Sequence, residues 1–405
     1  MRLHVVLFLT LLPLISARGQ LLMEGKGEPV HLLPSDAAVL EGHERRADLR
    51  CTVHSIKPEL GFDFAFHSGY SVTIPLRDIG TGGGDLKAVF RVIPEGHPER
   101  PAYFLQKWTI PRIEENAKGT AELRGAFVTG AGKYQVEWLL RDPNDRVCSR
   151  KWEVSAASRS KDKDIQMRLL PGTAVAGTVD LFGNEAPVKR ETERSCNVVV
   201  LLHVAPQESG AAELRPAEEL ALLSILRSIA RESRITSYSI VAFNLDQSDV
   251  LYRRDNATQL DFPELGEAIH HARLGTVDVR KLGGKDREER FLNQLFEQVT
   301  VNNRPDALIF VGAKTTGEAA ALRGGLKEAG QPRFPVFYLK YDGDPTLSPW
   351  RDLIGGAVKC WKGIEYTITK PRDLFIAWNE VMSRILPQTT ETPRNTSVTN
   401  SLRPK

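Results

Sequence analysis

His203 ends an apolar run, Val198-Val199-Val200-Leu201-Leu202, and imidazole is the side chain best suited to proton transfer near neutral pH. A histidine that closes a strand more often packs or caps than acts as a base, so companions decide its role. Lys314-Thr315-Thr316 has the composition of an anion site, but no Gly-x-x-x-x-Gly-Lys-Ser/Thr phosphate loop precedes it, and a solvated turn is the simpler reading. His270 and His271 are neighbours on a helical pattern and diverge by about 100°, so they cannot form an i, i+4 zinc pair. No Gly-x-Ser-x-Gly elbow accompanies a His and an Asp in hydrolase order. Gly80-Thr81-Gly82-Gly83-Gly84 shares only its glycine content with a phosphate loop and reads as a flexible turn. Asn256-Ala257-Thr258 and Asn395-Thr396-Ser397 are glycosylation sequons. These residue types and spacings assign no catalytic group, no metal ligand and no cofactor.

The chain has 405 residues, beyond the usual 100–200 or so of one domain, and reads as two. Met1-Arg2-Leu3-His4, the apolar run Val5–Ile15 and the small residues Ala17 and Gly19 form a leader expected to be cleaved before Gln20. The alternative, an uncleaved anchor, is disfavoured because the run is short against the roughly 18 apolar residues a span needs, and no later stretch reaches that length. The formal charge of +3 includes Arg2 and Arg18, so the mature chain is near neutral. No basic stripe is present, which argues against nucleic acid, and no polybasic membrane patch is present either. Of the four cysteines, Cys51 and Cys148 lie in strand-like segments of the first half and are the expected disulfide. Cys196 and Cys360 read as buried free thiols.

After a polar lead over 20–39, residues 40–156 alternate apolar and polar with period two. The expected strands include Leu49–Val53, Phe62–Phe66, Tyr70–Leu76, Lys87–Ile93, Tyr103–Ile110 and the hairpin Gly132–Leu140 with Arg146–Val154. About seven short strands at this spacing predict a β-sandwich resembling the immunoglobulin and fibronectin type III group. Gly132-Lys133-Tyr134-Gln135-Val136 is similar to the tyrosine corner of such domains, although Cys148 lies past the turn and does not fit the antibody disulfide pattern. A linker covers 157–194, within which 165–184 reads either as a last sandwich strand or as a hairpin between domains.

From 195 to 387 the period changes. Continuous apolar runs at Val198–Leu202 and Ala307–Val311 suit central strands buried on both faces. Helical stripes follow at Leu220, Leu223, Leu226 and Ile229, and at Leu292, Leu295, Phe296 and Val299; further helices are expected over Pro263–Ala272 and Gly317–Ala329 and from Pro371. Ser237–Phe243, Val250–Arg253, Phe334–Lys340 and Gly363–Thr369 read as the remaining strands. This alternation predicts a doubly wound, mainly parallel α/β sheet. Ligands of open α/β sheets sit outside the strand C-termini, which makes His203, Glu208, Thr276, Lys314, Thr315, Thr316 and Asp342 the expected neighbours at that edge. Residues 388–405 hold too little apolar surface to repay ordering.

The element order from Asn197 to Leu386 resembles the von Willebrand factor type A domain, and the tandem of leader, β-domain and such a domain is similar to bacterial secreted proteins related to that family. The resemblance implies a metal-ion-dependent adhesion site built from Asp-x-Ser-x-Ser after the first strand, a loop threonine and a later aspartate, because Mg²⁺ takes near-octahedral oxygen ligands. Here the first position reads His203-Val204-Ala205-Pro206-Gln207 and the later one Val311-Gly312-Ala313-Lys314; only Thr276 matches. The metal site is expected to be lost, leaving a chemically blank loop and an edge neutral to positive. The functional expectation is an exported, non-enzymatic interaction or structural protein with a protein partner, secreted or periplasmic. The alternative is an exported hydrolase or small-ligand or anion binder using the edge around His203 and Lys314.

Overall fold

In the first half, period-two segments bury one face each and must close on one another. The computed structural model describes residues 21–23, 29–42, 46–79, 82–114, 117–177, 182–191, 196–208, 211–272, 274, 287–303, 305–314, 331–347, 349 and 352–386. The expected leader 1–19, Thr276, Thr315, Thr316, the helix 317–329, the Asn395 sequon and the tail 388–405 lie outside these residues. The chain divides into two compact units, Met1–Leu60 with Ala65–Val179, and Gly61–Phe64 with Asp180–Lys405.

The first unit contains β1 (Leu21–Met23), β2 (Pro29–His31), α1 (Pro34–Glu41), β3 (Thr52–Leu60), β4 (Phe66–Pro75), α2 (Leu76–Ile79), β5 (Gly84–Pro94), β6 (Ala102–Ile110), β7 (Thr120–Thr129), β8 (Gly132–Arg141), β9 (Val147–Ala156) and β10 (Ala174–Ala176). One sheet runs β2-β1-β6-β5-β8-β9 and the other β10-β7-β4-β3. Their inner faces share one core, in which Tyr70 and Val72 of one sheet meet Phe90 and Trp138 of the other. The Tyr70 ring lies 5.2 Å from Trp138 and 5.5 Å from Phe90, both edge-on, an arrangement that adds to plain area burial. Tyr134 donates its hydroxyl to the Gly130 carbonyl four residues upstream at 2.9 Å, which is the geometry of a tyrosine corner. Cys51 and Cys148 form the expected disulfide.

Two details differ from the sequence reading and a third settles a reading left open. The polar lead holds β1, β2 and α1; Leu40 of α1 is buried with Val89, Leu105 and Leu139, and Arg141 Nε donates to the buried Asp36 at 2.9 Å. Phe62–Phe66 is not a strand up to its last residue: residues 62–65 form a turn in which Phe64 adopts φ 58°. Of the two readings left open for 165–184, the structure supports a sandwich strand, because β10 pairs antiparallel with β7.

The second unit comprises β11 (Asn197–His203), α3 (Pro216–Arg231), β12 (Ser237–Asn244), β13 (Asp249–Ala257), α4 (Phe262–His271), α5 (Arg287–Asn303), β14 (Ala307–Ala313), β15 (Val336–Tyr341), α6 (Leu353–Cys360), β16 (Ile364–Ile368) and α7 (Pro371–Ile385). The sheet order is β13-β12-β11-β14-β15-β16, parallel except for the antiparallel β12–β13 pair. Val198, Val200 and Leu202 point to one face and pack with α3, α4 and α7; Val199 and Leu201 point to the other and pack with α5 and α6. Helices on both faces explain why β11 and β14 carry no polar alternation. Cys196 is buried and free, and burial pushes its thiol up to about 11. Cys360 is also free but exposed, contrary to the expected buried thiol, because it ends the one-sided helix α6.

Candidate functional site

Parallel register brings the C-terminal ends of β11, β14 and β15 together, with His203 opposite Gly312 and Gly312 opposite Lys340. At this edge the sequence reading expected His203, Glu208, Thr276, Lys314, Thr315, Thr316 and Asp342 as neighbours. His203 lies inward: it is 2 % exposed, its ring is 5.3 Å from Phe243, and its Nδ1 is 3.3 Å from the Ala313 carbonyl. Tyr338 donates to the same carbonyl at 3.0 Å. Nε2 of His203 has no hydrogen-bond partner among the described residues. Burial pushes the imidazole down to about 4, against a weaker opposing effect of the Ala313 hydrogen bond. A neutral, enclosed imidazole of this kind is a packing group and not a solvent-facing base.

The loop after β11 is not chemically blank. Gln207 is 2 % exposed and donates its amide to Asp342 Oδ1 at 2.7 Å and to the Asp344 carbonyl at 2.7 Å, while its own carbonyl accepts the Asp344 N–H at 3.2 Å. Both donors and the acceptor of the amide are thereby satisfied. Glu218, also 2 % exposed, accepts the backbone N–H of Gln207 at 3.0 Å, the N–H of Arg215 at 2.8 Å and Arg215 Nη2 at 2.8 Å. Asn244 fixes the loop from the other side, donating to the Val204 carbonyl at 2.8 Å and accepting the Gln247 N–H at 2.9 Å. Thr346 donates to Asp344 at 2.6 Å and holds that carboxyl below its ordinary range.

Of the expected edge residues, Asp342 is therefore a buried structural acceptor, Glu208 is exposed, and Lys314 is half-buried where β14 ends. Among the described residues, Glu208, Glu218, Asp342 and Asp344 stand with Arg215 and Lys314 around this loop. Lys340, the next cation along, is paired with Glu365. Among the described residues no group of three or more His, Cys, Asp and Glu side chains has a metal-holding arrangement. His270 approaches Glu219 at 3.2 Å whereas His271 approaches the Glu267 carbonyl at 2.6 Å, so the two rings go to different partners. Gln207 and Glu218 were the residues missed. Gln207 occupies the last position of the Asp-x-Ser-x-Ser pattern, and Glu218 lies three residues after Arg215 at the start of α3, a capping-box position.

His203 makes a testable contribution to pH dependence. Its folded value lies below the unfolded value near 6.5, so the unfolded chain takes up the proton first and stability falls as pH drops from about 6.5 towards 4. The full effect is about 3 kcal/mol. Urea unfolding of the α/β unit at pH 7 and pH 4.5 is expected to show a smaller acid loss in His203→Leu than in the wild type; equal losses would mean the imidazole is not buried neutral.

No family model and no curated protein matches the chain. Structural neighbours include a β-glucosidase from Listeria innocua, 11% identical with a TM-score of 0.17, matching 27% of this chain and 17% of that one. A β-glucuronidase from Bacteroides uniformis is 10% identical with a TM-score of 0.20, over 75% of this chain and 37% of that one. A carbohydrate esterase is 11% identical with a TM-score of 0.21, over 78% of this chain and 95% of that one. The chain spans well under half the length of the first two. At these scores the similarity carries no functional inference.

Proposed function

We propose that the protein is an exported, non-enzymatic interaction or structural protein that carries an immunoglobulin-like sandwich and an α/β unit of von Willebrand factor type A kind that works without metal. The observation carrying this reading is the Gln207 amide clamped between Asp342 and Asp344. In the adhesion-site pattern, the end of the first strand offers hydroxyls and a carboxylate to a cation. Here the equivalent loop offers an amide whose hydrogen-bonding capacity is spent within the protein, so the edge is held by protein groups in place of an ion. The Cys51–Cys148 disulfide fits an oxidising compartment, in keeping with a secreted or periplasmic location. No helix among the described residues is long and apolar enough to cross a membrane. Association with a protein partner, and not with nucleic acid, is part of the same proposal.

Thermal unfolding in EDTA and then in excess Mg²⁺, Mn²⁺ or Ca²⁺ tests the metal-free claim. Because a ligand that binds only the folded state raises its midpoint, the expected outcome is a midpoint unchanged within about 1 °C. A rise of several degrees with any of the three ions would overturn the reading.

A further inference from the structure

Each sheet has two edge strands whose outer N–H and C=O groups are able to pair with another chain, and proteins blunt such edges with short strands, prolines, charges or bulges. Most edges here are blunted in this way. β2 and β10 are three residues each, and β2 starts at Pro29. β3 carries Lys57, Pro58 and a register shift between Ile56 and Glu59. β9 carries Arg150, Lys151 and Glu153, and its start is covered by the Ala47 bridge to Cys148. β13 has register shifts against β12 and the charges Arg253, Arg254 and Asp255.

β16 has none of these devices. Ile364–Ile368 holds no proline, lysine or arginine and pairs with β15 without a register shift. Its one charged residue, Glu365, is paired with Lys340. Ile368 is buried in the core, and Ile364 and Tyr366 pack against the same cluster. The Asp342 N–H donates to the Ile368 carbonyl at 3.0 Å, so Ile364, Tyr366 and Ile368 turn their backbone groups towards β15. Glu365 and Thr367 turn theirs the other way, where no backbone partner meets them among the described residues.

We propose that β16 pairs antiparallel with β16 of a second copy of this chain, about a two-fold axis at Tyr366. Glu365 of each copy exchanges both N–H···O bonds with Thr367 of the other. Tyr366 faces its own counterpart as the close, non-hydrogen-bonded pair, and Ile364 faces Ile368. The occupant is a second copy because the strand is its own complement, as a two-fold interface requires. This axis overlaps the whole strand and opposes no like charges within it, whereas an axis at Glu365 would set two carboxylates side by side. The exposed Lys362 and Lys370 face each other beyond the strand ends, a repulsion that salt screens. A strand pair of this length buries less than the roughly 1,200 Å² of stable interfaces, so the dimer is expected to be weak, with a Kd of about 100 µM. The pairing is independent of the metal-free reading, and neither result decides the other.

Sedimentation velocity of the full chain from about 5 to 500 µM, in about 0.5 M salt, tests the pairing. A reversible monomer–dimer equilibrium is expected. Thr367→Pro removes an outward N–H that β15 does not use, so it should leave the urea midpoint of the α/β unit near that of the wild type and weaken the dimer at least about tenfold. In a Cys360→Ser background, Tyr366→Cys sets two thiols across the axis with Cα atoms about 4.5 Å apart, within disulfide reach, so oxidised glutathione should trap a covalent dimer. Thr367→Cys in the same background should not be trapped, because its counterpart lies diagonally, beyond the about 7 Å limit. A chain that stays monomeric at about 500 µM, a dimer unchanged by Thr367→Pro, or failure to trap at position 366 would each overturn the assignment.

Discussion

Reduction of the Cys51–Cys148 bridge is expected to destabilise the sandwich by about 4–5 kcal/mol and to lower its unfolding midpoint by about 10–20 °C. The bridge closes a loop of 97 residues, so it removes a large share of the conformations open to the unfolded chain. It ties the chain just before β3 to β9, strands that lie in different sheets. Cys148 is 1 % exposed, and the segment before β3 is further fixed by the Ala47 bridge to Cys148 and by the Leu49 N–H bonded to the Val147 carbonyl at 3.1 Å. These local bonds hold the native state but do nothing to restrict the unfolded one, so they cannot replace the covalent link. Calorimetric scans of the full chain with and without reductant, and of the Cys51→Ala/Cys148→Ala variant, should agree with each other. A midpoint shift below about 3 °C in both would show that the unfolded chain already holds these segments close. Cys196 and Cys360 carry no bond, so reductant has no second target.

The central strands were legible because burial on both faces leaves a short, β-branched-rich continuous apolar run bounded by polar and turn residues. The helices α3, α5 and α7 were legible from their stripes. What the sequence concealed has particular causes. Only Asp36 and Leu40 of α1 are buried, too few to make a stripe. β1, β2 and β10 are three residues each, shorter than any periodicity can register. Helix α6 carries Gly355 and Gly356, poor helix formers that weaken its pattern, although Leu353, Ile354, Ala357 and Val358 are buried. The Phe62–Phe66 alternation is a strand pattern overridden by the backbone at Phe64. For the candidate site, the edge rule led to His203 and Asp342, but the partner of Asp342 is Gln207, 135 residues away, and no local spacing encodes such a contact. Asp344 and Glu218 likewise enter the site through the fold and not through any motif.

Gly312→Ala is expected to destabilise the α/β unit by about 3–5 kcal/mol, the combined scale of a strained backbone and an overpacked core. Gly312 has φ 148°, in the range that L side chains rarely adopt, and it sits within β14, beside β11 on one side and β15 on the other. A Cβ there would lie 2.6 Å from the His203 carbonyl oxygen and 2.8 Å from the His203 Cβ. Neither atom can rotate away: the first is backbone of a central strand, and the second belongs to a side chain fixed by Phe243 and the Ala313 carbonyl. Gly82→Ala is the matched control, because its Cβ would meet nothing within 4 Å; its midpoint in urea should match the wild type or exceed it slightly. The comparison bears on function as well as stability. On the type A reading, position 312 falls where the later metal-binding aspartate belongs, yet any side chain there collides with β11. The glycine and the buried histidine are thus one packing solution, and an aspartate at 312 could not restore a cation site unless β11 moved. A Gly312→Ala midpoint equal to that of the wild type would mean that β11 and β14 yield easily, and the strand edge would then again be open to a ligand.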